Sequence, residues 1–233
     1  MTTHKNFIRC FSRAYRTIQI IIVGAGPAGL VLSLLLAKQG INVLILDGAE
    51  KLDEQPRATH YAAPATYELQ RAGILQEVID KGFSPDGVTW RDLDGNSLGG
   101  MSSAPLPPED RIACLPLNRL TRIVMEHLAR QPTAEIRWSH KVLSTIGQDE
   151  TSAWIMVQTP NGEHKFSADY IVGCDGATSQ IRRSLFGNDF PGRTWDEQIV
   201  ATNVGQTLLP SKNTSMSLMA LGLLRYESVQ LGR

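Results

Sequence analysis

The sequence predicts an α/β fold built on a parallel sheet, and three consecutive features carry that prediction. A β-branched apolar run at residues 18–23 leads straight into Gly24-Ala25-Gly26-Pro27-Ala28-Gly29, an apolar helical stretch at 30–38 follows and is closed by Gly40, and a second short apolar strand occupies 42–46. Strand, helix and strand of these lengths form a βαβ unit, whose two strands lie parallel with a right-handed crossover.

The remaining elements follow in order. Residues 64–81 read as a helix, with Tyr67, Leu69, Ile74, Leu75, Val78 and Ile79 on an apolar stripe that Gly73 kinks or divides. Residues 88–98 have strand character around an Asp94-Gly95-Asn96 turn, and 99–110, rich in Gly, Ser and Pro, read as a loop. The chain returns at 111–115 and enters a helix from about Asn118 to Arg130. Strands are then expected at 136–138, 142–146, 153–159, 164–166 and 170–174, with Pro160-Asn161-Gly162 as a turn and an antiparallel meander preceding the last strand. In 153–159 the alternation of Trp154, Met156 and Gln158 against Ile155, Val157 and Thr159 leaves the buried face open. Beyond Arg183 one strand is expected at 198–204, followed by a Ser-, Thr-, Leu- and Met-rich stretch to Arg233.

Composition narrows the function. With 42% hydrophobic and 20% charged residues, the 233-residue chain has the make-up of one large globular domain or two small ones. Basic and acidic residues balance at 23 each, so no global field draws nucleic acid or an anionic surface, and small molecules are the expected partners. No apolar run reaches the roughly 20 residues that a membrane span needs. Cys10, Cys114 and Cys174 are odd in number and far apart, which suits neither a disulfide framework nor a metal site, and His60, His127, His140 and His164 show no metal spacing. A reducing compartment, the cytoplasm, is expected. The alternative is mitochondrial: Lys5, Arg9, Arg13 and Arg16 recur against Phe7, Ile8, Phe11 and Tyr15 with no acid among them, as in a targeting helix, although a tail outside the fold reads the same way.

The glycine loop carries the first chemistry. Gly24 permits a tight turn, Gly26 lets the backbone approach a pyrophosphate, and Gly29 allows close helix packing; Ala25, Pro27 and Ala28 complete a loop that opens onto a helix N-terminus, with its free N–H groups and positive dipole end. The expected ligand is a dinucleotide and the fold Rossmann-like. Asp47 ends the second strand, where an acidic residue hydrogen-bonds ribose hydroxyls and repels a 2′-phosphate; a solvated turn carboxylate is the plainer reading.

Asp175-Gly176-Ala177-Thr178-Ser179-Gln180-Ile181-Arg182 follows the strand at 170–174, and Pro56-Arg57-Ala58 follows the βαβ unit. Together with the glycine loop these motifs resemble the aromatic-ring hydroxylating flavoprotein monooxygenases of the para-hydroxybenzoate hydroxylase type, over residues 18–204. The resemblance implies a Rossmann-like FAD-binding βαβ domain with an antiparallel meander and a partial second, substrate-binding sheet. It implies FAD as cofactor, NADPH or NADH as co-substrate, and O₂-dependent hydroxylation of a phenol-like, other aromatic or polyketide small molecule. The cofactor contacts it implies are Gly24 to Gly29, Asp47, Arg57 beside the flavin, Asp175 and Arg182. Arg119 is chosen over Leu117 and Asn118 for a contact that the family makes from the start of the following helix. The plainer readings are a bond from Asp175 to its own turn, a structural ion pair for Arg182 and a surface position for Arg57.

On the same resemblance, residues 18–83 and 111–190 form the two FAD-binding segments, 84–110 a substrate-side hairpin and loop, and 191–233 the start of a substrate domain. No catalytic acid or base can be named. The family's third flavin motif, a Gly-Asp pair in a later strand-to-helix turn, is not found before Arg233. The expectation is therefore a truncated product, ahead of a partner chain that completes the site or a flavin-binding chain without turnover. A nicotinamide-dependent oxidoreductase shares the glycine loop, but residues 175–182 argue against it.

Overall fold

A computed structural model describes residues 18–193 apart from Pro56, Ala58, Leu93, Pro108 and Glu109. The basic N-terminal segment, the expected strand at 198–204 and nearly all of the segment expected to open a substrate domain lie outside the described residues.

The βαβ unit forms as the apolar pattern requires: β1 (Ile20–Val23), α1 (Pro27–Lys38), β2 (Val43–Leu46). Pro27 occupies the first helical turn, where its missing N–H removes no helical bond, and Gly40 follows the last turn with φ of 80°. The chain continues through β3 (His60–Tyr61), α2 (Ala63–Arg71), α3 (Leu75–Lys81), β4 (Gly87–Arg91), β5 (Ser97–Ser102), β6 (Ala113–Cys114), α4 (Leu117–Leu128) and β7 (Ala134–Arg137). It then makes β8 (Lys141–Gln148), β9 (Ala153–Thr159), β10 (Gly162–Ala168), β11 (Tyr170–Gly173) and α5 (Gln180–Phe186).

The central sheet has the order β11-β1-β2-β7, with every neighbouring pair parallel; Ile20 is in register with Tyr170 on one side and Val43 on the other. Ile22, Val43 and Ile45 face α1 and α4, packing with Leu30, Leu34, Leu120 and Ile123. Ile21, Val23, Leu44 and Leu46 face the opposite way, onto Val142, Ile155, Val157 and Ala168 of the antiparallel sheet β10-β9-β8 and onto Ile181. Three layers result: helices, parallel sheet, meander. A sheet covered on both faces explains why β1 and β2 read as unbroken apolar runs. Each of their buried side chains contributes roughly 1.5–3 kcal/mol of burial.

The structure adjusts several expectations. Residues 64–81 are two helices, because Gly73 adopts φ of 71° and ends α2; Lys38 Nζ then donates to the Ala72 carbonyl at 2.7 Å, covering that helix end. Residues 99–102, expected to be loop, belong to β5, which pairs with β4 along a ribbon whose second strand is exposed throughout. The strand expected at 136–138 belongs to β7 of the parallel sheet, since α4 supplies its crossover. Two short strands escaped the sequence pattern: β3 pairs with β6, His60 opposite Cys114. On β9 the buried side is Ile155, Val157 and Thr159.

Candidate functional site

The carboxyl ends of β11, β1 and β2 open onto a cleft of about 450 Å³. Val23, Leu46, Val142 and Cys174 are among its apolar lining, and Gly24, Gly26, Asp47, Gly48, His140, Lys141, Asp175, Gly176, Thr178, Gln180 and Arg183 complete it. This is where open α/β sheets bind ligands, beyond the carboxyl ends of the strands.

Each glycine of the loop has a distinct steric reason. Gly24 has φ of 104°, and a Cβ there would overlap the Cys174 carbonyl and lie 2.9 Å from the Asp175 nitrogen, so the loop is pressed against the end of β11. A Cβ on Gly29 would overlap the carbonyl of Gly24, so the first turn of α1 rests on the loop. Gly26 differs: a Cβ there meets nothing within 4 Å. Its backbone faces open cleft at the N-terminus of α1, whose first-turn N–H groups have no intrahelical acceptor. The bare backbone and free donors fit a pyrophosphate.

Asp47 braces this loop. Its Oδ2 accepts the Ala25 N–H at 2.6 Å and its Oδ1 the Ala49 N–H at 2.8 Å, while its own carbonyl accepts the His140 N–H at 2.8 Å. Ala25 and Pro27 therefore bring no free N–H to the cleft, and the residue between them, Gly26, lines it. Ser139, with φ of 57°, is the one non-glycine residue of positive φ among the described residues; its N–H donates to the Ala49 carbonyl at 2.7 Å, and the turn that follows delivers His140 and Lys141 to the cleft.

Asp175 is bonded within its own turn. Oδ1 accepts from Ser179 Oγ at 2.5 Å, and Oδ2 accepts the backbone N–H groups of Gln180 at 2.6 Å and Ile181 at 3.1 Å. Ser179 Oγ in turn accepts from the Arg182 N–H at 3.0 Å, so the start of α5 is fixed by two side chains. Cys174 lies half-buried between loop and turn, and burial, with the neighbouring Asp175 carboxylate, pushes its thiol up.

The expected arginines fall elsewhere. Arg57 is exposed and pairs with Asp53 at 2.8 Å, Arg119 is exposed on the first turn of α4, and the Arg182 guanidinium lies 4.9 Å from the centre of the Phe190 ring. The arginine lining the cleft is Arg183. Sequence reading missed Arg183 and also His140, Lys141, Thr178 and Gln180 as lining residues; only the helical spacing of Gln180 and Arg183 could have marked two of these five. Asn118, passed over for Arg119, has a buried Oδ1 with no hydrogen-bond partner among the described residues.

Residues 17–221 match the FAD binding domain family. The chain belongs to this family. Among relatives it is 32% identical over 188 residues to para-nitrophenol 4-monooxygenase of Pseudomonas sp. (strain WBC-3), covering 79% of this chain and 46% of that protein. It is 31% identical over 189 residues to 6-hydroxy-3-succinoylpyridine 3-monooxygenase HspB of Pseudomonas putida (strain DSM 28022 / S16), covering 79% and 48%. The chain thus spans about half the length of these relatives. Among solved structures, p-nitrophenol 4-monooxygenase PnpA from Pseudomonas putida DLL-E4 superposes with a TM-score of 0.72 at 30% identity, over 78% of this chain and 46% of that one. Aklavinone-11 hydroxylase in complex with FAD and aklavinone gives a TM-score of 0.59 at 25% identity, over 72% and 34%. An FAD-binding domain is what the resemblance carried by the glycine loop, Pro56-Arg57-Ala58 and residues 175–182 implied. No helix among the described residues is long and apolar enough to cross a membrane.

Proposed function

We propose that this chain serves FAD-dependent hydroxylation of a phenol-like or other aromatic small molecule, with NADPH or NADH as electron donor and O₂ as oxygen source. The observation that carries the reading is the meeting of the glycine loop and the turn at 175–183 along one cleft, in a chain of the FAD-binding family. Relatives named as monooxygenases of aromatic compounds support the reaction class. Bound FAD supplies the redox chemistry, in which one oxygen atom enters the ring, the other leaves as water, and the nicotinamide loses a hydride.

This chain's residues bind and orient. The N-terminus of α1 and the bare backbone at Gly26 receive the diphosphate, and Asp47 reaches the ribose hydroxyls from a position already locked to the loop. The turn led by Asp175 closes the cleft on the β11 side. Arg57, Arg119 and Arg182 as cofactor contacts rest on the family resemblance. The β4–β5 ribbon, with Trp90, Leu98 and Met101 exposed, suits the substrate side. A reducing compartment, the cytoplasm, fits two cysteines held as thiols, Cys114 and Cys174.

Purification with added FAD tests the reading. A yellow protein that quenches flavin fluorescence and oxidises NADPH or NADH faster with a phenolic compound supports it. A colourless protein that binds NAD instead overturns it.

A further inference from the structure

The cleft lining carries four formal charges, on Asp47, Asp175, Lys141 and Arg183. Both carboxylates are fixed by hydrogen bonds inside the fold and cannot move away from a ligand. A dianionic diphosphate would therefore meet two static negative charges. The two cations bring the formal sum of the lining to zero, and removing either leaves it negative.

Neither cation has a carboxylate partner among the described residues. Arg183 Nη2 donates only to Gln180 Oε1 at 3.2 Å; Gln180 Nε2 donates to Ser184 Oγ at 3.2 Å, and Ser184 Oγ to the Ser144 carbonyl of β8 at 3.1 Å. This chain of bonds ties α5, and with it Arg183, to the strand that begins with Lys141. The Lys141 stem is set by Gly48: a Cβ at position 48 would come within 3.3 Å of the Lys141 Cβ, so the missing side chain is what lets the lysine lie along the turn after Asp47. Two unpaired cations on linked elements thus border the cleft that the glycine loop opens onto.

We propose that Lys141 and Arg183 are anchoring residues for the diphosphate of the bound dinucleotide, holding it electrostatically opposite the backbone donors of the glycine loop. This rests on the FAD reading above, and it assigns to side chains a share of binding that the loop alone would not supply.

Flavin fluorescence quenching measures FAD affinity for the parent, Lys141→Met, Arg183→Met and the double variant across a salt series. Each single change weakens FAD roughly fivefold, and the double variant loses most of the parent's salt dependence. ADP, as a competitor, loses the same factor, whereas adenosine loses none. Lys141→Arg and Arg183→Lys retain affinity, and thermal unfolding of the cofactor-free proteins is unchanged because both side chains are exposed. Equal FAD affinity and equal salt dependence in all four proteins overturn the proposal while leaving FAD binding intact. Absence of FAD binding to the parent overturns both readings.

Discussion

The carboxylate of Asp47 accepts the backbone N–H of Ala25 at 2.6 Å, a bond that fastens the end of β2 to the middle of the glycine loop. The acid is thus part of the loop's architecture before any ribose arrives. Asp47→Ala strands the Ala25 donor and is expected to cost about 1–3 kcal/mol of stability, together with FAD affinity. Asp47→Asn keeps one acceptor and costs less. Denaturant unfolding with and without FAD checks both.

Gly24 and Gly26 separate fold from binding. Gly24→Ala forces a side chain onto the backbone of β11 at φ of 104°, and the expected outcome is gross destabilisation or insoluble protein. Gly26→Ala enters open space at φ of −72°, where alanine is at ease, so thermal stability stays equal or rises slightly while FAD titration shows lost affinity. Parallel melting and flavin titration of the two variants check the contrast.

Glu77 links α3 to α4. It accepts from Lys81 Nζ at 2.7 Å and contacts His127 Nε2 at 2.9 Å, and these two bonds, Lys81's first, hold its carboxyl below the usual glutamate range. A depressed folded value means the contribution is present above the ordinary glutamate pKa and lost as pH falls through the lowered one. Glu77→Gln should therefore be less stable than the parent at neutral pH by about 0.5–1 kcal/mol. The difference should shrink to nothing in acid, as read from urea midpoints.

Burial pushes the Cys114 thiol up to about 11, and Cys174 is raised by burial and then by Asp175. Near neutral pH both are thiols rather than thiolates, so maleimide labelling of native protein should be slow. Cys174, which lines the cleft, reacts first and is shielded by FAD, while Cys114 reacts only on unfolding. Peptide mapping of labelled protein distinguishes the two.

The Oδ1 of Asn118 is buried and has no donor among the described residues. Asn118→Leu, a side chain with the same number of heavy atoms and no polar atom to satisfy, should raise the stability of the cofactor-free protein by about 1 kcal/mol. Thermal unfolding provides the check.

The βαβ unit and the cleft's two loops were legible because each announces itself locally, as an apolar run, a glycine string or an Asp-Gly turn. The β4–β5 ribbon was only half legible: β5 buries nothing, so its side chains carry no period to read. β3 and β6, two residues each, fall below any pattern. Arg182 and Arg183 show the limit inside a motif, since neighbours on a helix point about 100° apart and only the packing of α5 on β8 decides which of them borders the cleft. For Asp175 the sequence left two uses open, and the structure shows the bond to its own turn filled on both oxygens.

The pressure of Gly24 against the Cys174 carbonyl also orders events in time. β1 and β2 emerge from the ribosome almost together, but on the other flank of β1 the partner of Ile20 is Tyr170, about 150 residues away along the chain, and contacts so distant in sequence close late and slowly. Until then the loop lacks the surface that shapes its first turn. The segment of the cleft translated earliest must wait for one translated far later, so the cleft is complete only once β11 has been made.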